Sequence, residues 1–134
     1  MSPVAGTPGQ VILVVEDDTE TRQALGECLT VLFPEARVVM TGSGEAALEL
    51  ARRTRPSLVV LDLRLRGMSG FELAERLRGG APGRVSIAAL TGDMSPDTLL
   101  RAEAAGFAAF VRKPVDMERV EMVLRPLLEE AASV

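Results

Sequence analysis

The chain has 134 residues, of which 47% are hydrophobic and 25% are charged, and its formal net charge is −4. This composition is typical of one globular domain with a sizeable core and excludes a protein that is disordered as a whole. The acidic balance, with four phenylalanines and no tryptophan or tyrosine, argues against direct nucleic-acid binding. One cysteine and no histidine exclude an intrachain disulfide, histidine-based catalysis and metal sites built from Cys or His clusters.

The apolar runs are all shorter than the ~18 residues that a membrane-spanning helix needs, so we expect no membrane insertion. Residues 1–10 lack the basic segment and apolar core of a secretory signal, which favours a cytoplasmic protein. Their Pro, Gly, Ser and Thr content predicts a flexible leader or linker. We therefore expect a folded domain over residues 11–130, with residues 131–134 as a short tail.

Apolar runs of strand length alternate with helical patterns along the chain. A continuous run such as "VILVV" is typical of a strand that is buried on both faces. Ser43 and the Ser95-Pro96 pair are typical helix starts, and Asp116 opens the last helical pattern. The strands are predicted at 11–15, 37–41, 58–62, 86–91 and 108–112, and the helices at 18–33, 43–53, 69–78, from 95 and from 116, with a turn at 79–83.

The spacing of apolar residues predicts which side chains of the first and last helices are buried. The first helix is predicted to bury an apolar face, in which Cys28 is an ordinary core residue. In the last helix, Pro126 should kink or break the helix because it lacks an N–H and its ring is bulky. Met122 falls off the apolar stripe of that helix, so we expect its side chain to be exposed. The predicted apolar face of the first helix comprises Ala24, Leu25, Cys28, Leu29 and Leu32.

Alternating strands and helices predict a parallel sheet with helices on both faces. In such sheets, ligands bind beyond the carboxyl ends of the strands. Acidic and hydroxyl side chains gather at that edge, together with Lys113, the only lysine of the chain. The residues predicted at the edge are Glu16, Asp17, Asp18, Thr41, Asp62, Thr91 and Lys113.

Such a group of residues suits a phosphoryl site. Carboxylates that crowd together favour a cation between them, and a small set of oxygen ligands suits Mg²⁺. A metal, an ammonium and a hydroxyl could bind the oxygens of a transferring phosphoryl group, and a carboxylate can itself be the nucleophile. The alternative is that the acids are ordinary helix caps at loop starts.

The motifs "VILVVEDD", "LVVLDLRLRGMSG", "AALTGD" and "FVRKP" resemble, in order and spacing, the receiver domain of bacterial two-component response regulators. The match runs from about Val11 to Leu128. It implies an α/β, flavodoxin-like, doubly wound fold: a five-stranded parallel sheet in the order 2-1-3-4-5 with five helices.

The resemblance implies a role for each residue that matches a motif. Glu16 and Asp17 would be the acidic pair, with Asp17 binding Mg²⁺ directly and Glu16 through water. Asp62 would be the phosphoacceptor and a metal ligand, and the main-chain carbonyl of Arg64 would be a further ligand. The phosphoryl group would be bound by Thr91 and Lys113, the switch aromatic would be Phe110, and Pro114 would follow the lysine, often across a cis bond in this family.

Four positions depart from the family pattern or carry charges beside the site. Arg66 stands where the loop after the acceptor usually has proline, and Gly92 follows Thr91 where alanine is also common. Arg64 and Asp93 lie two residues beyond the acceptor and the hydroxyl. We expect this pair to face each other across the mouth of the site.

The sequence lacks the motifs of other protein classes with similar α/β folds. A haloacid-dehalogenase phosphatase would have an acid at Arg64, a flavodoxin would have a hydroxyl-rich loop and aromatics, and a dinucleotide binder would have G-x-G-x-x-G. The remaining rival is an interaction module that works without phosphorylation, which would be expected to have lost some of the site residues.

The expected function is therefore a phosphoacceptor switch. A histidine kinase or histidine phosphotransfer domain would donate the phosphoryl group, and the fourth helix, fifth strand and fifth helix would signal to a downstream protein. We expect no enzymatic activity beyond the chain's own phosphorylation and dephosphorylation. A stand-alone regulator and a segment of a larger hybrid kinase both fit, and a homodimer is also compatible.

Overall fold

The computed structural model describes residues 9–80 and 85–132. Residues 1–8 of the predicted leader, residues 81–83 of the predicted turn and residues 133–134 of the predicted tail lie outside the described residues. The predicted boundaries at residues 10 and 130 therefore stay predictions.

Strands and helices alternate through the described ranges, as the sequence predicts. The strands are β1 (Val11–Val15), β2 (Arg37–Thr41), β3 (Leu58–Asp62), β4 (Ser86–Thr91) and β5 (Ala109–Arg112). The helices are α1 (Thr19–Leu32), α2 (Gly44–Thr54), α3 (Gly70–Gly80), α4 (Pro96–Ala104) and α5 (Met117–Ala132). Among these helices of the described chain, none is both long and apolar enough to cross a bilayer.

The five strands form one parallel sheet in the order β2-β1-β3-β4-β5. Val15 pairs with Leu61 across β1 and β3, and Asp62 pairs with Leu90 across β3 and β4. All residues of β1 and β3 are buried, because helices cover both faces of a parallel sheet. The predicted flavodoxin-like fold is confirmed.

The sheet separates two apolar clusters because successive side chains of a strand point to opposite faces. Leu13 and Val59 belong to the cluster that α2, α3 and α4 cover. Ile12 and Val60 belong to the cluster that α1 and α5 cover. Both clusters end at the carboxyl edge of the sheet, where the buried side chains become polar.

Short polar side chains define the starts of three helices. Asp18 accepts a hydrogen bond from the N–H of Thr21, so α1 begins directly after the acidic segment. Ser43 and Ser95 cap α2 and α4 in the same way, as predicted. These helices therefore begin at the carboxyl edge of the sheet, beside the strand ends.

The predicted apolar face of α1 is correct except for one residue. Leu25 and Leu29 are buried and Cys28 is half-buried, but Ala24 is exposed. Ala24 lies about 100° around the helix from Leu25, beyond the part of α1 that contacts the sheet and α5.

Pro126 does not break the last helix, since α5 continues through it to Ala132; the other predicted outcome, a kink, stays a prediction. Pro126 lies on an exposed part of α5. Its missing N–H would have bonded to the carbonyl of Met122, which lies one turn earlier on the same exposed face and is accessible to water there. The predicted exposure of Met122 is confirmed, with 74% of the residue accessible.

Candidate functional site at the carboxyl edge of the sheet

The carboxyl ends of four strands bring the predicted site residues together. Asp62 and Thr91 are the last residues of β3 and β4. Glu16 directly follows β1, and Lys113 directly follows β5. Because these strands are parallel neighbours, residues that are distant in the sequence lie at one edge. Thr41 ends β2, and its carbonyl accepts a hydrogen bond from the N–H of Glu16.

The Lys113 ammonium bridges two carboxylates. Its Nζ lies 2.7 Å from Oε1 of Glu16 and 2.9 Å from Oδ2 of Asp62. Glu16 is fully buried and Asp62 nearly so, while 28% of the Lys113 side chain is exposed. A compact ammonium fits between two oxygens at this spacing, whereas a guanidinium is a broad planar fork. The position explains why lysine stands here in a chain whose other strong bases are all arginine.

Burial changes the protonation of this pair. It raises the pKa of Glu16, which the contact with Lys113 opposes. Burial also acts to lower the pKa of Lys113, but the contacts with Glu16 and Asp62 outweigh it, so the pKa of Lys113 is raised. Glu16 and Asp62 therefore share one ammonium, so the site contains more carboxyl groups than cations.

Three acids at this edge have the arrangement of a metal site. Glu16, Asp17 and Asp62 each offer a carboxylate oxygen, and the three oxygens lie within 4.8 Å of one another. An all-oxygen set fits a hard cation such as Mg²⁺, and the three carboxyl groups have only the Lys113 ammonium among them, which contacts two of the three. The backbone of Arg64 is also close, since its N–H donates to Oδ1 of Asp62 over 2.9 Å.

The Thr91 hydroxyl is buried and makes two hydrogen bonds with the backbone of Asp93. It accepts from the N–H of Asp93 at 3.0 Å and donates to the carbonyl of Asp93 at 3.3 Å. Phe110 is half-buried and packs against the cluster beneath α2, α3 and α4. The peptide bond between Lys113 and Pro114, whose isomer the sequence left open, is cis.

Comparison with known proteins identifies the family. The family model described as "Response regulator receiver domain" matches residues 12–125. The chain belongs to the response regulator receiver domain family. The predicted flavodoxin-like fold, the resemblance and the assignment to two-component signalling are thereby confirmed.

Receiver domains similar to this one occur in regulators and in sensor kinases. The chain is 32% identical to the probable transcriptional regulatory protein TcrX of Mycobacterium tuberculosis, over 90% of this chain and 51% of the relative. It is also 32% identical to the sensor histidine kinase AtsR of Burkholderia thailandensis, over 86% of this chain and 19% of the relative. The chain thus spans about half of the first relative and about a fifth of the second.

Solved receiver structures superpose on nearly the whole chain. The chemotaxis protein CheY4 of Vibrio cholerae is 25% identical, with a TM-score of 0.81 and coverage of 89% of this chain and 98% of that chain. The receiver domain of a sensor histidine kinase from Pseudomonas aeruginosa is 27% identical, with a TM-score of 0.77 and coverage of 94% and 99%. That structure has a magnesium ion coordinated in its active-site cleft.

The mouth of the receiver site is flanked by the predicted charge pair. The guanidinium of Arg64 lies 3.8 Å from Oδ2 of Asp93, so these residues face each other as expected. The same Asp93 oxygen accepts a hydrogen bond from the Thr98 hydroxyl, which is the main reason that the pKa of Asp93 is lowered to about 2. The Asp93 carboxylate is therefore ionised at any physiological pH.

Two arginines contact the acidic pair in ways that the sequence did not predict. The N–H of Arg66 donates to Oδ2 of Asp17 over 3.0 Å, a hydrogen bond that a proline at this position could not make. The guanidinium of Arg22 on α1 donates to the carbonyl of Glu16 over 2.7 Å. Gly42 leaves room for it, because a Cβ there would lie 2.8 Å from the guanidinium. The sequence drew attention to Arg66 because it departs from the family pattern, but nothing in the sequence indicated the contact of Arg22.

Proposed function

We propose that Asp62 is the phosphoacceptor of this receiver domain and that Glu16, Asp17 and Asp62 hold the Mg²⁺ that its phosphorylation requires. The observation that carries this proposal is the position of Lys113, whose ammonium contacts both Glu16 and Asp62. The buried carboxylates lie beside one compact cation at the strand ends, where a small anion can approach from solvent. Family membership and the magnesium ion in a similar receiver structure support the same assignment.

The proposed reaction transfers a phosphoryl group between two partners. A carboxylate oxygen of Asp62 attacks the phosphorus of a phosphohistidine on a histidine kinase or a phosphotransfer domain. The P–N bond breaks, its electron pair goes to the ring nitrogen, and the ring, which carries a proton on its other nitrogen, leaves as neutral imidazole while an acyl phosphate forms on Asp62. Hydrolysis returns the domain to its unphosphorylated state: water attacks the phosphorus, inorganic phosphate leaves and the Asp62 carboxylate is restored.

Residues of the chain neutralise the charge on the transferred group. Lys113 binds one phosphoryl oxygen, and the Thr91 hydroxyl donates to another. A bound Mg²⁺ would add positive charge beside the phosphoryl oxygens. Asp17 would hold it directly and Glu16 through water, and Asp62 and the main-chain carbonyl of Arg64 would be the other protein ligands.

The signal leaves through α4, β5 and α5 when Thr91 moves toward the acyl phosphate and Phe110 enters the space that it leaves. The receiver then contacts a downstream protein. It does not bind nucleic acid directly, which agrees with its net charge of −4. A cytoplasmic location and the possible formation of a homodimer belong to this proposal. The chain turns over no separate substrate, so we do not class it as an enzyme.

Phosphorylation by a small donor tests the proposal. Acetyl phosphate or phosphoramidate with Mg²⁺ should add one phosphoryl group to the wild type, and the adduct should be sensitive to hydroxylamine. Asp62→Asn should abolish the adduct because it removes the nucleophile and keeps the shape. EDTA should suppress labelling of the wild type. The matched control is Asp97→Asn, which changes an exposed aspartate of α4 and should label normally.

A hydroxylamine-sensitive adduct that persists in Asp62→Asn would assign the acceptor to another residue. Absence of labelling in the wild type, with a known receiver labelled in parallel, would favour an interaction module that works without phosphorylation.

A further inference from the structure

We infer that Asp93 is a positioning residue that joins the Thr91 hydroxyl to the first turn of α4 and so sets the resting position of that helix. The signalling role of Asp93 rests on the proposed function, but the first experiment that tests the inference needs no phosphoryl group. It depends on four hydrogen bonds that converge on one residue.

The Thr91 hydroxyl is hydrogen-bonded to the backbone of Asp93. A threonine hydroxyl has one proton to donate, and here the carbonyl of Asp93 accepts it. The N–H of Asp93 donates back to the same oxygen. Thr91 must therefore release the Asp93 carbonyl before it can donate to a phosphoryl oxygen on Asp62. Any movement of the hydroxyl toward Asp62 therefore first changes its hydrogen bonds with the backbone of Asp93.

The side chain of Asp93 holds the start of α4. Oδ1 accepts from the N–H of Ser95 over 2.9 Å, and Oδ2 accepts from the Thr98 hydroxyl over 2.7 Å. Ser95 is the N-cap of α4 and Thr98 lies in its first turn. A carboxylate at this end of a helix is also favoured by the helix dipole. One residue thus contacts the Thr91 hydroxyl through its backbone and α4 through its side chain.

Apolar burial holds α4 only weakly, so these polar contacts matter. In the described part of the chain, Ala102 is the single fully buried residue of α4, whereas α5 buries Val120, Leu124 and Leu128. Leu100 is 66% exposed. The C-terminal half of α4 has its own anchor, since the Arg101 guanidinium lies 4.0 Å from the centre of the Phe71 ring. The first turn therefore depends mainly on Asp93 and on the Ser95 cap.

Native-state amide exchange of α4 tests the link without any phosphoryl donor. Asp93→Ala should speed exchange of the α4 amides from Leu99 onward by about fivefold, as expected for the loss of a capping residue. Thr98→Val, which deletes one donor and keeps the shape, should act in the same direction. Arg64→Ala is the matched control, because it removes the ion partner of Asp93 and leaves the hydrogen bonds to α4 intact.

A double variant tests whether Thr91 acts through Asp93. Thr91→Val should also speed exchange of α4, because the Asp93 carbonyl loses its donor. In the Asp93→Ala background the same change should add nothing. Unchanged exchange in Asp93→Ala, or fully additive effects in the double variant, would overturn the inference.

Beryllofluoride then tests the link in the signalling state, because it mimics a phosphoryl group on the acceptor aspartate. In the wild type, amide shifts should appear around Asp62 and on α4. In Asp93→Ala the shifts around Asp62 should persist, while those on α4 should fall to less than half. Full α4 shifts in this variant would contradict the inference. A wild type that does not respond at all would count against the proposed function, and the exchange data would then decide the link by themselves.

Discussion

Nζ of Lys113 and Oδ2 of Asp62 lie 2.9 Å apart although 51 residues separate them in the chain. The same ammonium is 2.7 Å from Oε1 of Glu16. The contact places a compact cation against two oxygens, at the end of β5 and beside the ends of β1 and β3. The geometry at this position depends on the shape of the cation as well as on its charge.

We therefore expect Lys113→Arg to be nearly as damaging as Lys113→Ala. A planar fork cannot take the place of an ammonium between these two oxygens, so both variants should lose most of the amide shifts that beryllofluoride produces on α4. The matched control is Arg112→Lys, which exchanges the same two residue types at the exposed neighbouring position and should respond like the wild type. A normal response of Lys113→Arg would show that charge alone is sufficient.

Arg64 is expected to control access of water to the acyl phosphate. Removing its side chain opens the mouth opposite Asp93, so Arg64→Ala should shorten the phosphorylated lifetime by at least about twofold. Exposed ion pairs contribute little to folding, so the melting temperature should hardly change. The matched control is Arg52→Ala, which breaks an exposed ion pair with Glu49 on α2 and should leave the lifetime unchanged. An unaltered lifetime in Arg64→Ala would remove this role.

Arg66 should weaken metal binding through its side chain. Its guanidinium Nε lies 3.9 Å from Oδ2 of Asp17, and a cation there competes with Mg²⁺ for the same carboxylate. Arg66→Ala keeps the N–H that holds Asp17 and removes the charge. It should tighten Mg²⁺ binding, measured by calorimetry, by about twofold at low salt. Arg66→Lys should bind like the wild type, and high salt should remove the difference. Weaker binding by the alanine variant would instead make the guanidinium a support of the site.

Two glycines of α3 should respond to alanine with opposite signs. A Cβ at Gly70 would lie 2.5 Å from the carbonyl of Asp62 and 2.6 Å from Cα of Leu63, and backbone cannot move away easily. Gly70→Ala should lower the free energy of unfolding by about 1–3 kcal/mol. Gly79 has open space around its Cα, so Gly79→Ala should raise it by about 0.5–1 kcal/mol because alanine favours the helix. Urea denaturation measures both, and a neutral Gly70→Ala would show that α3 can shift away from the site.

The output surface should be visible in the wild type. With beryllofluoride, amide shifts are expected to spread from Thr91 through Phe110 to residues 95–105 and 116–124, as a two-state change biased by contacts made in the phosphorylated form. Shifts confined to the loops around Asp62 would mean that this receiver accepts the group without using α4, β5 and α5 to signal.

The sequence predicts the sheet and most of the site for one physical reason. Buried parallel strands are continuous apolar runs, so the sequence shows where each strand ends. The polar residues that follow must then lie at one edge of the sheet. The convergence of Glu16, Asp62 and Lys113 could therefore be predicted from order alone. The pair of Arg64 and Asp93 followed from the same argument.

Contacts that depend on side-chain direction could not be predicted in this way. Arg22 reaches the carbonyl of Glu16 because the chain has no side chain at Gly42, and Thr98 bonds to Asp93 because the Asp93 carboxylate lies against the first turn of α4. Pro126 remains inside a helix because the affected carbonyl is on an exposed face. Each of these outcomes depends on where an element lies in space, which local periodicity does not encode.

The location of the only lysine also decides what amine chemistry can report. Apart from a free α-amino group, reagents that modify lysine have a single side-chain target in this sequence, and that target lies against Asp62 and Glu16. Its rate of acylation or reductive methylation depends on whether the ammonium can give up its carboxylate partners and a proton. Mass spectrometry of one peptide would therefore follow the occupancy of the site without any introduced probe. For the same reason, coupling this protein to a surface or a dye through lysine would modify the site itself, and another attachment chemistry would keep it intact.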